Sequence, residues 1–249
     1  MKILAVHAHP DDCEILAGGT LALLAKRGHN LAIVTMTPGD CGSAELAPEV
    51  ISRTRRREAA AAAALLGAEY ICAEFRDLAI FNDDASRRRV CAIIRRVRPE
   101  IVLTSAPVDY MCDHEATSAI VRDALFGVPV PNYLTEEYDS VPALDRIPHL
   151  YFMDPVGGVD RENKPVAPDF TVDVTAVFEK KRELLACHAS QREWLRRQHG
   201  IDEYLDAMER WTRARGEQTG VEYAEGFRQY KGHPYPESPA LQELLAVSG

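Results

Sequence analysis

The stretch "KILAVHAHPDDCEILAGGTLALLAKRGHNLAIVTMT" (Lys2–Thr37) reads as strand, helix, strand. "KILAVHA" is short and mostly apolar and stops at His9-Pro10. From about Asp12 to Arg27 the pattern is helical, with Leu16, Leu21 and Leu24 among its apolar positions and Gly28 as a C-terminal stop. "NLAIVTMT" is apolar nearly throughout, which suits a parallel strand covered on both faces. Five ionisable residues, His7, His9, Asp11, Asp12 and Glu14, crowd the junction between the first strand and the first helix.

Outward from this unit the alternation continues. "PGDCGSAELAP" is a loop, and a helix runs from about Glu49 through an alanine block to Leu66, ended by Gly67. "AEYICAEF" is a third strand, "DASRRRVCAIIRRVRP" a helix stopped near Pro99, and "EIVLTSAP" a fourth strand. Thr117 to Leu125 reads as another helix. Strands alternating with helices imply βαβ units and a parallel sheet wound right-handedly. Beyond Leu125 the pattern loosens into a proline-rich loop (129–148), two shorter strands, "HLYFMD" and "FTVDVT", and a helical stretch from Ala176 to about Arg215. With no internal repeat and no low-complexity linker, one α/β domain over residues 1–249 is expected, with a mixed, helix-rich C-terminal third.

At 249 residues the chain can bury a sizeable core. A formal net charge of −9 argues against a general nucleic-acid binder, and the arginine runs at 53–57 and 87–89 lie in helical patterns that read as solvated faces. None of the six cysteines forms a CxxC pair, so zinc-ribbon and thioredoxin readings fall away. No apolar run approaches the ~18 residues that span a bilayer, and Lys2 leads directly into the first strand. A cytoplasmic protein with free thiols and no membrane partner is expected.

In open α/β sheets ligands bind beyond the carboxyl ends of the strands. There the sequence places His9, Asp11 and Asp12 after strand one, "TPGD" (Thr37–Asp40) after strand two and "PVDYMCDH" (Pro107–His114) after strand four. A lone histidine at a strand end is ordinarily a satisfied polar residue, and Asp12 alone is an adequate N-cap. Their concentration at one sheet edge changes that reading. His9, Asp12 and His114, two imidazoles and a carboxylate, make the open ligand set of a catalytic zinc (Zn2+). Such an ion lowers the pKa of its bound water to ~7, and Asp11 is placed to take the proton. His7 is read as structural.

"AHPDDCEILAGGTLA" resembles the signature of the LmbE-like (PIG-L) zinc-dependent N-acetylglucosaminyl deacetylases, which include enzymes of mycothiol, bacillithiol and glycosylphosphatidylinositol biosynthesis. The resemblance continues through the "TPGD" loop, the helix carrying Arg55 and Glu58, "FRD" at Asp77 and the Asp113-His114 pair. "HASQREW" (188–194) and "EYAEGFR" (222–228) are similar to segments that recur in the family. It implies a Rossmann-like three-layer fold, zinc at His9, Asp12 and His114, Asp11 as general base, and Arg55 and Asp77 lining a sugar pocket. It also implies a homo-oligomer, trimer or hexamer.

One position departs from the family pattern. Met111 stands three residues before His114, where an imidazole ordinarily stabilises the oxyanion or protonates the amine. His188 is the preferred substitute and His233 the other candidate. The expected activity is removal of an acetyl group from an N-acetylated amino sugar or its conjugate. The alternative is a metal-binding member without turnover, which the intact Asp11 disfavours. A dinucleotide oxidoreductase would need a G-x-G-x-x-G turn after strand one, and the sequence has none there.

Overall fold

The computed structural model describes residues 1–193 and 203–246. Strands β1 (Lys2–His7), β2 (Asn30–Thr35), β3 (Glu69–Cys72), β4 (Ile101–Thr104) and β5 (His149–Met153) pair in parallel. β6 (Phe170–Asp173) and β7 (Ala224–Gln229) extend the sheet antiparallel, in the order β3-β2-β1-β4-β5-β7-β6. β2 and β4 flank β1 on opposite sides. The chain therefore reverses direction across the sheet between β1 and β4, and a crevice opens beyond their carboxyl ends. Val6 registers with both Val34 and Thr104, so these strands end almost level and deliver the segments after them to one edge.

Helices α1 (Asp12–Lys26), α2 (Pro48–Ala64), α3 (Asp84–Val97), α4 (Cys112–Gly127), α5 (Phe178–Ala186), α6 (Glu203–Thr219) and α7 (Ala240–Leu245) cover the sheet. Alternate residues of β1 enter opposite cores, as a period of two requires. Ile3 and Ala5 pack with residues of α1, α5, α6 and α7, whereas Leu4 and Val6 pack with residues of α3 and α4. This is the expected three-layer α/β arrangement.

Three departures from the sequence reading have physical causes. α4 begins at Cys112, five residues before Thr117, because its polar first turn is buried for contacts rather than solvated. The stretch expected to be one helix from Ala176 is broken at Cys187 and His188, then helical again over 189–193; its part over 194–202 lies outside the described residues. β7, "AEGFRQ", has little strand propensity and was not anticipated as a strand.

Tertiary contacts hold β7 in place. Glu225 accepts the Gly19 and Thr20 amides of α1 at 2.8 and 2.7 Å and pairs with Lys181 Nζ at 2.8 Å, all buried. Such a pair is tolerated in an interior because these further hydrogen bonds offset its desolvation. Close packing here also explains the second glycine of "AGGT". A Cβ on Gly19 would meet Val174 Cβ at 2.6 Å.

Candidate metal centre and active site

The turn from β1 into α1 is strained at Asp11, whose φ of 106° is the left-handed backbone that favours glycine. A non-glycine residue held there costs about 1–3 kcal/mol, a cost typically met where geometry serves a site. The turn aims the next carboxylate inward. Asp12 Oδ2 accepts the His9 amide at 2.8 Å and lies 2.7 Å from His7 Nδ1, 3.3 Å from His9 Nδ1 and 3.5 Å from His114 Nε2. Ligand atoms of His7, Asp12 and His114 lie within 4.8 Å of one another, a group that does not include His9, whose ring centroid is 5.4 Å from that of His114.

Carboxylates stand behind two of the imidazoles. His9 Nε2 is 3.1 Å from Asp113 Oδ2, which also accepts the Leu78 amide at 2.7 Å. His114 Nδ1 is 3.2 Å from Asp109 Oδ1, and Asp109 is wholly buried. Metal-bound histidines characteristically carry such a partner on the far nitrogen. That pattern leaves His9 Nδ1 and His114 Nε2 facing Asp12, the donor set of a divalent transition metal. His7 has no carboxylate on its Nε2, which is buried without a hydrogen-bond partner among the described residues; His114 Nδ1 likewise lacks a well-aligned hydrogen bond, and Asp109 faces it at ion-pair distance.

The same contacts shift the titration of these groups. Burial works against a charge on His9, yet hydrogen bonds to Asp113 and Asp12 outweigh it and push its pKa up to about 10. Burial also opposes charge on Asp12, but His7 and His114 hold its carboxyl well below the usual range. A bound cation would satisfy this carboxylate while the imidazoles stay neutral. Burial pushes Asp11 up, and Arg55 offsets part of that.

Asp11 is gripped from two helices. Tyr204 of α6 donates to its Oδ2 at 2.6 Å, and Arg55 of α2 reaches it at 3.4 Å while donating to Pro10 O at 2.7 Å. The "PGDCG" loop wraps the guanidinium closely. A Cβ on Gly39 or Gly42 would come within 2.5 Å of Arg55 Nη1, and Gly39 has a φ of +75°. Asp77 pins the same loop, accepting Thr37 Oγ1 at 2.5 Å and the Cys41 amide at 2.8 Å. Glu58, one helical turn after Arg55, binds the amide and hydroxyl of Ser190 at 2.8 and 2.6 Å.

These groups floor a cavity of about 630 Å³. His9, Asp11, Asp12, His114, Arg55 and Asp77 all line it. His188 does not; it is fully buried, with Nε2 3.5 Å from Glu14. His233 lines a separate cavity beside Tyr230 and Tyr235. The proline-rich 129–148 loop contributes no residue to the lining, whereas Val156 and α6 residues such as Trp211 do. Sequence reasoning missed Tyr204, which no local motif marks, and the outer role of Asp109, for which the acidic spacing in "DYMCDH" was the available signal.

A Rossmann-like sheet with a His/Asp cluster at its switch point defines the class of protein. Residues 4–125 match the PIG-L family model, described as GlcNAc-PI de-N-acetylase. The chain is 27% identical over 241 residues to diacetylchitobiose deacetylase of Thermococcus kodakarensis, covering 93% of this chain and 84% of that one. It is 29% identical over 196 residues to 4-oxalmesaconate hydratase of Pseudomonas putida, covering 76% and 73%. Its fold matches the structure of N,N'-diacetylchitobiose deacetylase from Pyrococcus horikoshii with a TM-score of 0.78 at 25% identity, over 96% of this chain and 88% of that one.

Proposed function

We propose that this chain is a zinc-dependent hydrolase that removes the acetyl group from an N-acetylated amino sugar or its conjugate. The observation that carries the reading is the approach of His9 Nδ1 and His114 Nε2 to Asp12 Oδ2, at 3.3 and 3.5 Å, on a cavity floor that Asp11 adjoins. Relatives named as deacetylases, one of them aligned over 93% of the chain, support the substrate class.

His9, Asp12 and His114 would hold the ion. The chemistry a bound zinc supplies there is polarisation of the amide carbonyl and a water of pKa ~7. Asp11 takes the proton of the attacking water and then delivers it to the amine nitrogen as the C–N bond breaks. Burial, which raises its proton affinity, suits both tasks. Tyr204 and Arg55 fix the direction of its carboxylate. Asp77 supports the floor by pinning the loop over Arg55.

With Met111 lining the cavity in place of an imidazole, the amine takes its proton from Asp11. His188, behind the floor beside Glu14, acts on that step only through its neighbours. A second reading, hydration of an unsaturated acid, draws on the hydratase relative and on the same Met111, since hydration needs no amine acid. Zinc-loaded protein offered a panel of N-acetylated sugars should release primary amine. Silence on that panel, with turnover of an unsaturated acid, would establish the second reading instead.

Assembly as a homo-oligomer, trimer or hexamer, belongs to this proposal. Phe126, Val130 and Leu134 are exposed apolar side chains outside the site that offer a surface for it. A cytoplasmic location is proposed too. No helix among the described residues is long and apolar enough to cross a membrane.

A further inference from the structure

The cavity is mixed in polarity. Besides its ionic groups it is lined by the apolar side chains of Leu78, Met111 and Val156 and by the aromatic rings of Tyr110 and Trp211. A sugar hydroxyl pressed against Leu78, Met111 or Val156 finds no strong side-chain hydrogen-bond partner there, and an unpaired buried hydroxyl weakens binding. An apolar substituent placed there would gain instead.

Leu78 carries the argument furthest. It is 61% exposed, and its φ of 62° is left-handed, a conformation in which a branched, bulky residue is an outlier. The chain therefore bears two costs at one position, an apolar side chain in water and a strained backbone. Asparagine or glycine would relieve both. The Leu78 amide donates to Asp113 Oδ2, the carboxylate behind His9, so the strained turn is anchored to the metal centre and its side chain is set at the cavity. Tyr110 is likewise 63% exposed, and its ring lies 5.4 Å, edge on, from that of His114.

We infer that the substrate carries an apolar substituent larger than the acetyl methyl, and that Leu78 is a specificity-determining residue receiving it. The inference rests on the deacetylase reading for the amino-sugar part of the substrate. The substituent can reach the apolar lining from two places, the aglycone or a longer N-acyl chain.

The test compares three compounds on zinc-loaded protein: N-acetylglucosamine, its octyl glycoside, and N-octanoylglucosamine. Primary amine release gives kcat/KM. Binding of the same compounds to Asp11→Asn is followed by calorimetry, which needs no turnover. At least one octyl compound should exceed N-acetylglucosamine by roughly thirtyfold or more in kcat/KM, and which one does locates the substituent. In Leu78→Asn that ratio should fall about tenfold while the melting temperature holds or rises, because the backbone strain is relieved. A structural role for Leu78 would lower stability and leave the ratio alone. Equal kcat/KM for all three compounds, or an undiminished ratio in Leu78→Asn, overturns the inference and leaves the deacetylase reading standing. Preferential octyl binding without amine release from any compound removes the deacetylase reading and supports the apolar site.

Discussion

The Tyr204 hydroxyl donates to Asp11 Oδ2 at 2.6 Å, joining α6 of the C-terminal third to the first strand-to-helix turn. The residue proposed as base is thus held by a residue 193 positions later in the chain. Its donated hydrogen bond favours the carboxylate over the acid and so opposes the upward push of burial.

Tyr204→Phe removes that bond with little change in shape. The pKa of Asp11 should rise, since the charged form loses a donor. The acid limb of kcat/KM should then move to higher pH, with turnover at neutral pH reduced about tenfold or less and metal content unchanged. A pH–rate profile superimposable on the parent's would separate Tyr204 from the base.

Asp11→Asn keeps size and polarity but cannot accept the proton of water. Turnover should fall ~10²–10⁴-fold with zinc retained. Near-parent turnover on the same substrate would assign the base elsewhere.

His7 and His9 compete for the role of ligand, and metal analysis distinguishes them. His9→Ala and His114→Ala should each lose stoichiometric zinc. His7→Ala should keep it, with affinity weakened roughly 10–100-fold as for an outer-shell partner. The reverse order, with zinc surviving in His9→Ala and lost in His7→Ala, would transfer the site to His7, Asp12 and His114.

Lys181→Met tests the fold rather than the chemistry. It strands Glu225 as a buried carboxylate beside α1, and removing one partner of a buried pair costs about 3–5 kcal/mol. Denaturant unfolding measures this directly, and a loss under ~1 kcal/mol would mean that the two helix amides alone satisfy Glu225.

Asp83 caps α3 through the Ser86 amide at 2.8 Å, and that bond holds its carboxyl below the ordinary value of 3.8. A lowered folded pKa means stability that is complete above the unfolded value and lost as pH falls through the folded one. Asp83→Ala should therefore cost about 1 kcal/mol near neutrality and progressively less below about pH 4. A penalty independent of pH would assign the effect to something other than the charged cap.

The first half of the fold was legible because its signals are local. Apolar strands, glycine stops and a covered second strand suffice for β1-α1-β2, and strand ends point to the switch point. That His9, Asp11, Asp12 and His114 meet at one sheet edge was legible for the same reason, since each follows a strand. β7 was not, because Glu225 and Gly226 disguise a strand whose place is set by α1, Lys181 and Asp154. Tyr204 was invisible because nothing near it in sequence hints at Asp11. His188, the expected substitute for the imidazole missing at Met111, falls at a helix break with its Nε2 3.5 Å from Glu14. His7 was assigned to structure by strand alternation, yet its ring meets that of His114 edge-on at 4.6 Å.

The central claim is a metal-dependent hydrolysis of an N-acetyl group on this cavity floor. The most direct measurement follows acetate and primary amine together from the N-acetylated amino-sugar panel, using protein as purified, chelator-stripped and zinc-restored. Equal amounts of acetate and amine are expected, lost on stripping and recovered with zinc. Release that persists undiminished in fully stripped protein, or zinc-loaded protein that releases neither product from any member of the panel, would contradict it.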